Sequence, residues 1–296
     1  MMFRIFKALC REHLPDGRAR VVAPAAGLNL RTFDGCDFVV LGGGSLISPK
    51  YVRILARALD AGKRIVIWGS GIDRIGEKQF RAMEEDRMFE IHERFPKEEA
   101  PLLWRVFAEA SYAGVRGPYT KMALESLGVD PLHVRVIGDP GVLLAPPASS
   151  QPVRKRFAIN WGAAGQSLAA SGRAVLDSVA EAARTLIDRG YEAYVYAVYR
   201  DDLKPCEALC QKIDRPAQVA METKLLSEQE LMAALAPCRF TINYKLHPNI
   251  VSLAAGVPSI ALAYRFKVFD LMASLDLKEF AVSLGAPDLR AEIEER

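Results

Sequence analysis

The sequence predicts an α/β protein built from two Rossmann-like halves. Three observations carry that reading. Short apolar runs alternate with helical patterns of about 10–15 residues, the signature of βαβ units on a parallel sheet. The apolar runs end in loops rich in glycine or charge: Gly42-Gly43-Gly44-Ser45, Gly69-Ser70-Gly71, Arg116-Gly117, Gly138-Asp139 and Lys245-Leu246-His247. The alternation then stops once, at the Pro- and Ser-rich stretch from Ala145 to Pro152, and restarts at Arg156. A chain of 296 residues has room for two domains, here 1–147 and 153–296, whose strand-end loops would face each other across a cleft.

In the first half, residues 3–13 read as a helix with Phe3, Phe6, Leu9 and Cys10 on one side. Arg20 to Ala23 reads as a short strand, and Asp37 to Leu41 as a clearer one running into the glycine loop. A helix follows from Pro49 to Ala61, with proline just inside its start and Gly62 just past its end. Arg64 to Trp68 is the next strand. Residues 77–110 read as mostly helical, broken near Pro96 and Pro101. Tyr112 to Val115 is a strand ending at Arg116. A helix then runs to Leu127, and Val134 to Ile137 is the last strand of this half.

In the second half, Phe157 to Trp161 is a strand followed by Gly162-Ala163-Ala164-Gly165. Gly172 to Asp188 is a helix, with Val175, Val179, Ala182 and Leu186 three or four residues apart. Tyr191 to Tyr199 is a strand ending in Arg200-Asp201-Asp202. Leu203 to Ile213 and Ser227 to Leu235 are helices, and a capping box, Ser227 with Glu230, opens the second. Phe240 to Tyr244 is a strand. A helix starts near Pro248, presents Ile250, Val251 and Leu253 on one face, and is stopped by Gly256 and Pro258. Val257 to Ala263 is the next strand. The tail from Pro287 to Arg296 reads as a charged helix with little apolar face.

Composition excludes several classes. The 39 basic and 36 acidic residues nearly balance at a net charge of +3, so no nucleic-acid partner is expected. No apolar run approaches the roughly 18 residues of a membrane span. The first ten residues meet charge too early for a secretory signal. The expectation is a cytoplasmic chain, at most peripherally associated with the inner face of the membrane. Five scattered cysteines argue for reduced thiols, and Cys206 and Cys210, four apart on a helical pattern, have neither zinc nor redox spacing. No histidine pair or acidic cluster has metal-ligand spacing. The glycine loop is neither a dinucleotide fingerprint nor a Walker loop, which counts against NAD and ATP.

Chemistry concentrates at the strand ends, where open parallel sheets bind their ligands. Lys245 and His247 lie between a strand and a helix, and Lys267 follows the next strand. Two lysines suit an anion. His247 is the best acid–base candidate, its bland alternative being a helix cap. His13, His92 and His133 have no neighbours of matching chemistry. Arg116 at a strand end can grip a carboxylate or phosphate with both arms, or pair with a nearby acid. Gly43, Gly44 and Ser45 can let backbone N–H groups approach an anion at a helix start, or simply close a tight turn. Asp139, between Gly and Pro, suits a turn that bonds its own backbone. Asp201 and Asp202 can orient a sugar hydroxyl, with capping of the helix at Leu203 the favoured reading.

Taken in order, these stretches resemble the polysaccharide pyruvyl transferase family. The matches are Asp37-Phe-Val-Val-Leu-Gly-Gly-Gly-Ser-Leu46, Val115-Arg116, Val136-Ile-Gly-Asp-Pro140, Lys245-Leu-His247, Ala255-Gly-Val-Pro258 and Tyr264-Arg-Phe-Lys267, within residues 33–275. The resemblance implies a GT-B-like pair of domains, the first on the acceptor side and the second carrying the donor site. It implies transfer of the enolpyruvyl group of phosphoenolpyruvate onto a sugar of a polysaccharide or its lipid-linked precursor, giving a pyruvate ketal. Arg116, Lys245 and Lys267 would then hold the phosphate and carboxylate, and His247 would protonate the methylene carbon. No metal or organic cofactor is implied.

Three departures go with the resemblance. Lys245 stands where the family usually has arginine, which loses the bidentate fork, and Gly117 stands where it usually has aspartate. The chain also opens in what reads as the family's first helix, so the N-terminal domain is expected to lack its first strand. Two alternatives stay open: a GT-B-type glycosyltransferase using a nucleotide sugar, and a non-catalytic anion-binding relative.

Overall fold

The structure, a computed structural model, describes residues 2–14, 20–22, 33, 35–91, 95–146, 152–162 and 172–296. The chain divides into two compact units. One comprises Met1–Leu143 with Ala273–Leu275, and the other Leu144–Met272 with Asp276–Arg296.

The first unit runs α1 (Met2–His13), β1 (Phe38–Gly42), α2 (Pro49–Asp60), β2 (Arg64–Ser70), α3 (Glu77–Glu84), α4 (Ala100–Glu109), β3 (Tyr112–Val115), α5 (Pro118–Ser126) and β4 (Arg135–Val136). Its strands pair in parallel in the order β1-β2-β3-β4. Parallel neighbours need crossovers, and the helices supply them. Val52, Leu55, Ala56 and Ala58 form the buried stripe of α2, and Leu103, Val106 and Phe107 that of α4.

The second unit runs β5 (Arg156–Asn160), α6 (Gly172–Asp188), β6 (Glu192–Tyr196), α7 (Leu203–Ile213), β7 (Val219–Glu222), α8 (Glu228–Leu235), β8 (Phe240–Asn243), α9 (Leu246–Ala254), β9 (Ser259–Ala263), α10 (Phe266–Ala273), β10 (Ala281–Ser283) and α11 (Leu289–Glu295). Its six strands are all parallel, in the order β10-β9-β8-β5-β6-β7. Strand β9 is buried along its whole length and β5 from Phe157 onward, as central strands covered on both faces must be. Ser227 and Glu230 close the capping box that starts α8, each binding the other's backbone N–H.

Several expectations are corrected. Arg20 to Val22 is irregular chain rather than a strand, and Ala23 lies outside the described residues, as do residues 163–165 and 147–151 of the two loops read above. Pro101 does not break a helix but begins α4, where its missing N–H costs nothing; the break is the irregular chain after α3. Strand β6 stops at Tyr196, three residues early. Strands β7 and β10 and helix α10 went unread, because strands of four and three residues, and an eight-residue helix apolar except at Lys267 and Asp270, show too little periodicity. The tail helix α11 has an apolar face after all: Leu289 and Ile293 are buried where it packs on α6. Among the described residues, no strand precedes β1.

Candidate functional site

In the second unit, strand order reverses at β5: β6 and β7 lie to one side, β8, β9 and β10 to the other. The crevice outside the carboxyl ends at such a switch point is where open parallel sheets hold ligands. Past β8 come Tyr244 and Lys245, then α9 with His247 in its first turn. Past β9 come Tyr264 and Arg265, then α10 with Lys267 in its first turn. The rings of Tyr244 and Tyr264 stack with centroids 4.7 Å apart, and Trp161, just past β5, lies 5.0 Å from Tyr244. Three neighbouring strands therefore end in one buried aromatic row. Burial, with Tyr264 adding to it, pushes the Tyr244 phenol well above its usual range, so that ring stays neutral.

Cations flank this row. Lys245 Nζ is 5.7 Å from the Tyr244 ring centroid, and Lys267 Nζ and Arg265 Cζ are each 5.5 Å from that of Tyr264. Lys245, His247 and Lys267 are thus brought to the same end of adjacent strands. Arg265 joins them. Sequence reasoning passed it over, although it lies inside the Tyr264–Lys267 stretch.

Lys245 occupies the N-cap of α9 with extended backbone, and its N–H donates to Asn160 Oδ1 at 3.0 Å. A cation there faces the positive end of the helix dipole, so it needs a compensating charge. Asp202 supplies one. Its Oδ1 lies 3.2 Å from Lys245 Nζ, with the two side chains 2% and 15% exposed. The pair fits because residue 162 is glycine: a Cβ there would lie 2.3 Å from Asp202 Oδ1 and 2.8 Å from Lys245 Cε. Asp202 was read as a cap for α7, and that reading is corrected, since its side chain makes no capping bond there. His247 is exposed, and its Nδ1 lies 3.0 Å from the hydroxyl of Tyr199, at the start of the turn that carries Asp202. Sequence reasoning missed Tyr199, for it was read as the end of a strand.

Beneath these residues lies a buried amide and hydroxyl network. Asn249 Nδ2 donates to the Lys245 carbonyl at 2.8 Å and Ser259 Oγ donates to Asn249 Oδ1 at 2.8 Å. Asn243 Nδ2 donates to Ser259 Oγ at 2.9 Å and Ser252 Oγ at 3.0 Å, while the Tyr196 hydroxyl donates to Asn243 Oδ1 at 2.7 Å. Buried polar groups satisfied in this way hold one geometry. The network therefore fixes the β8–α9 corner that presents Lys245 and His247.

Arg116 and the glycine loop belong to the first unit. Arg116 is fully buried. Its Nη1 donates to the Gly44 carbonyl at 2.8 Å and Ser45 Oγ at 3.2 Å, and its Nη2 to the Ile72 carbonyl at 3.1 Å. Gly43 and Gly44 both have positive φ, 61° and 62°, which side chains disfavour. The Gly43 N–H donates to the Trp68 carbonyl at 2.8 Å, that of Gly44 to Asp139 Oδ2 at 3.4 Å, and that of Leu46 to Ser70 Oγ at 3.1 Å. Asp139 Oδ1 also accepts from the Gly141 N–H. Arg116 is thus a buried post that ties the loops after β1 and β2 to β3. His13 and His133 are exposed, and His92 lies outside the described residues. Among the described residues no cluster of three or more His, Cys, Asp or Glu side chains is arranged to hold a metal ion, and no helix is long and apolar enough to cross a membrane.

Two parallel-sheet units, the second with its strand order reversing at β5, define a GT-B-like α/β scaffold, and solved structures agree. The chain superimposes on a UDP-bound MnaA of S. aureus with a TM-score of 0.52, at 12% identity, over 88% of this chain and 65% of that one. A putative UDP-N-acetylglucosamine 2-epimerase of Listeria monocytogenes gives 0.52 at 12%, over 88% and 66%. The UDP-GlcNAc 2-epimerase of Methanocaldococcus jannaschii gives 0.51 at 11%, over 88% and 68%. At such identities the likeness is one of fold. The sequence places the chain more closely. The polysaccharide pyruvyl transferase family model matches residues 3–265, and the chain belongs to that family. Among named relatives, the amylovoran biosynthesis protein AmsJ of Erwinia amylovora is 28% identical over 103 residues, covering 32% of this chain. That match spans only 25% of AmsJ.

Proposed function

We propose that this chain transfers the enolpyruvyl group of phosphoenolpyruvate onto a sugar of a polysaccharide or its lipid-linked precursor. The observation that carries the reading is the convergence of Lys245, Lys267 and His247 at the ends of β8 and β9, in a chain of this family. Phosphoenolpyruvate bears a phosphate and a carboxylate a few bonds apart. Lys267 and Arg265 supply separate positive charges for them, Lys245 borders the site with its charge shared with Asp202, and the first turns of α9 and α10 favour anions. His247 then gives a proton to the methylene carbon, and an acceptor hydroxyl adds to the neighbouring carbon and loses its own proton. When the second hydroxyl adds, the bond from that carbon to the phosphate oxygen breaks. The products are a ketal and inorganic phosphate. The scheme needs no metal or organic cofactor. Arg116 takes a supporting part in it, since its donors hold the loop of Gly43, Gly44 and Ser45.

The test is inorganic phosphate release by the purified chain given phosphoenolpyruvate and saccharide acceptors. Wild type should release phosphate, and His247→Ala should lose at least about a hundredfold in rate. The fold should survive, because the side chain is exposed. Undiminished release in the variant overturns the general-acid role. Tight binding of a nucleotide sugar with no binding of phosphoenolpyruvate overturns the reaction.

A further inference from the structure

We infer that Tyr199 is a positioning residue for His247: its hydroxyl donates to Nδ1 and fixes the neutral ring with its proton on Nε2. The inference rests on the reading of His247 as the general acid, and it deepens that reading. The distance is 3.0 Å, within hydrogen-bond range. Direction follows from chemistry. A phenol is a good donor and a weak acceptor, because its lone pair is shared with the ring. An unprotonated imidazole nitrogen keeps its lone pair in the ring plane and accepts well. Burial, and then the charge of Asp202, raise the Tyr199 phenol above its usual value, so it stays a donor at neutral pH.

The turn holding Tyr199 is itself anchored. Tyr199 precedes a single 3-10 turn, Arg200–Asp202, closed by the Asp202 N–H on the Tyr199 carbonyl at 3.0 Å. Asp202 grips Lys245, whose Nζ also lies 5.7 Å from the Tyr199 ring. The loop after β6 therefore meets the β8–α9 corner at both residues of the Lys245–His247 pair: Asp202 and the Tyr199 ring at Lys245, and the Tyr199 hydroxyl at His247. A tyrosine suits a group that must cycle. It donates to Nδ1 of the resting neutral ring and, by turning its hydroxyl, accepts from Nδ1–H both in the imidazolium and in the neutral ring left when Nε2 gives up its proton, so orientation persists throughout. A carboxylate in its place would favour the imidazolium and oppose proton delivery.

The test uses the full chain labelled with ¹⁵N-histidine. There are four histidines, so His247→Ala assigns the signals of His247 directly. In wild type the neutral ring should show one tautomer, protonated at Nε2. In Tyr199→Phe, which removes one oxygen from a residue 48% exposed, the tautomers should mix while the unfolding midpoint stays at the wild-type value. The rate kcat should fall about tenfold, with KM for phosphoenolpyruvate within about twofold. An unchanged tautomer pattern in Tyr199→Phe, or a wild-type ring protonated at Nδ1, overturns the inference. The spectra need no substrate. A chain that fails to turn over phosphoenolpyruvate therefore sinks the proposed reaction alone, and the spectra still decide Tyr199.

Discussion

Lys245 and Lys267 carry the charge of the switch-point crevice in different ways. Lys245 is held by Asp202 and built into the corner, whereas Lys267 sits in the first turn of α10 over an aromatic ring. The two should therefore answer differently to truncation. Lys267→Ala should raise KM for phosphoenolpyruvate about tenfold, the size of one charged contact, with the unfolding midpoint unchanged. Steady-state kinetics with the donor varied checks this, and an effect confined to the acceptor's KM removes Lys267 from the donor site. At this scale the sequence was informative where chemistry is contiguous. Lys245 and His247 stand two apart after an apolar run, so the pair is visible in one stretch. Their partners were not visible. An aspartate before a helix has the same local appearance whether it caps that helix or reaches a distant lysine, and only the β6–β5–β8 order brings Asp202 to Lys245.

The elements that present those residues are held by polar contacts as much as by apolar ones. Strand β8 ends in Asn243, which joins Tyr196 on β6, Ser252 on α9 and Ser259 on β9 in one buried network. Asn243→Ala leaves several buried groups without their partner, at a cost of about 2–3 kcal/mol. Chemical denaturation should show that loss. Turnover should fall as well, because the β8–α9 corner loosens. A stability within about 0.5 kcal/mol of wild type shows that the network does not hold the corner. Strong periodicity made helices α2, α6 and α7 legible within a residue or so, since proline, glycine and a long apolar stripe mark their ends. Helix α11 was misjudged for the opposite reason: two buried residues among seven leave the charges to dominate the pattern.

For the molecule as a whole, the division into two units separates the roles of its cations. Lys245 and Lys267 lie in the second unit, and Arg116 lies in the first, where its guanidinium donates to Gly44, Ser45 and Ile72. The space for that guanidinium is set by Gly71, where a Cβ would stand 2.4 Å from Nη2. Those three bonds all stay within the first unit. Lysine at 116 would keep the charge but lose the planar fork that reaches three oxygens along two arms. Arg116→Lys should therefore lower stability by about 2 kcal/mol, through donors and acceptors left unmatched in a buried site. Its affinity for phosphoenolpyruvate, measured by calorimetry on the folded variant, should remain within about twofold of wild type. Lys267→Ala in the same assay should weaken binding about tenfold with no loss of stability. The opposite pattern, Arg116→Lys folding as wild type but binding the donor about tenfold more weakly, would return Arg116 to the donor site.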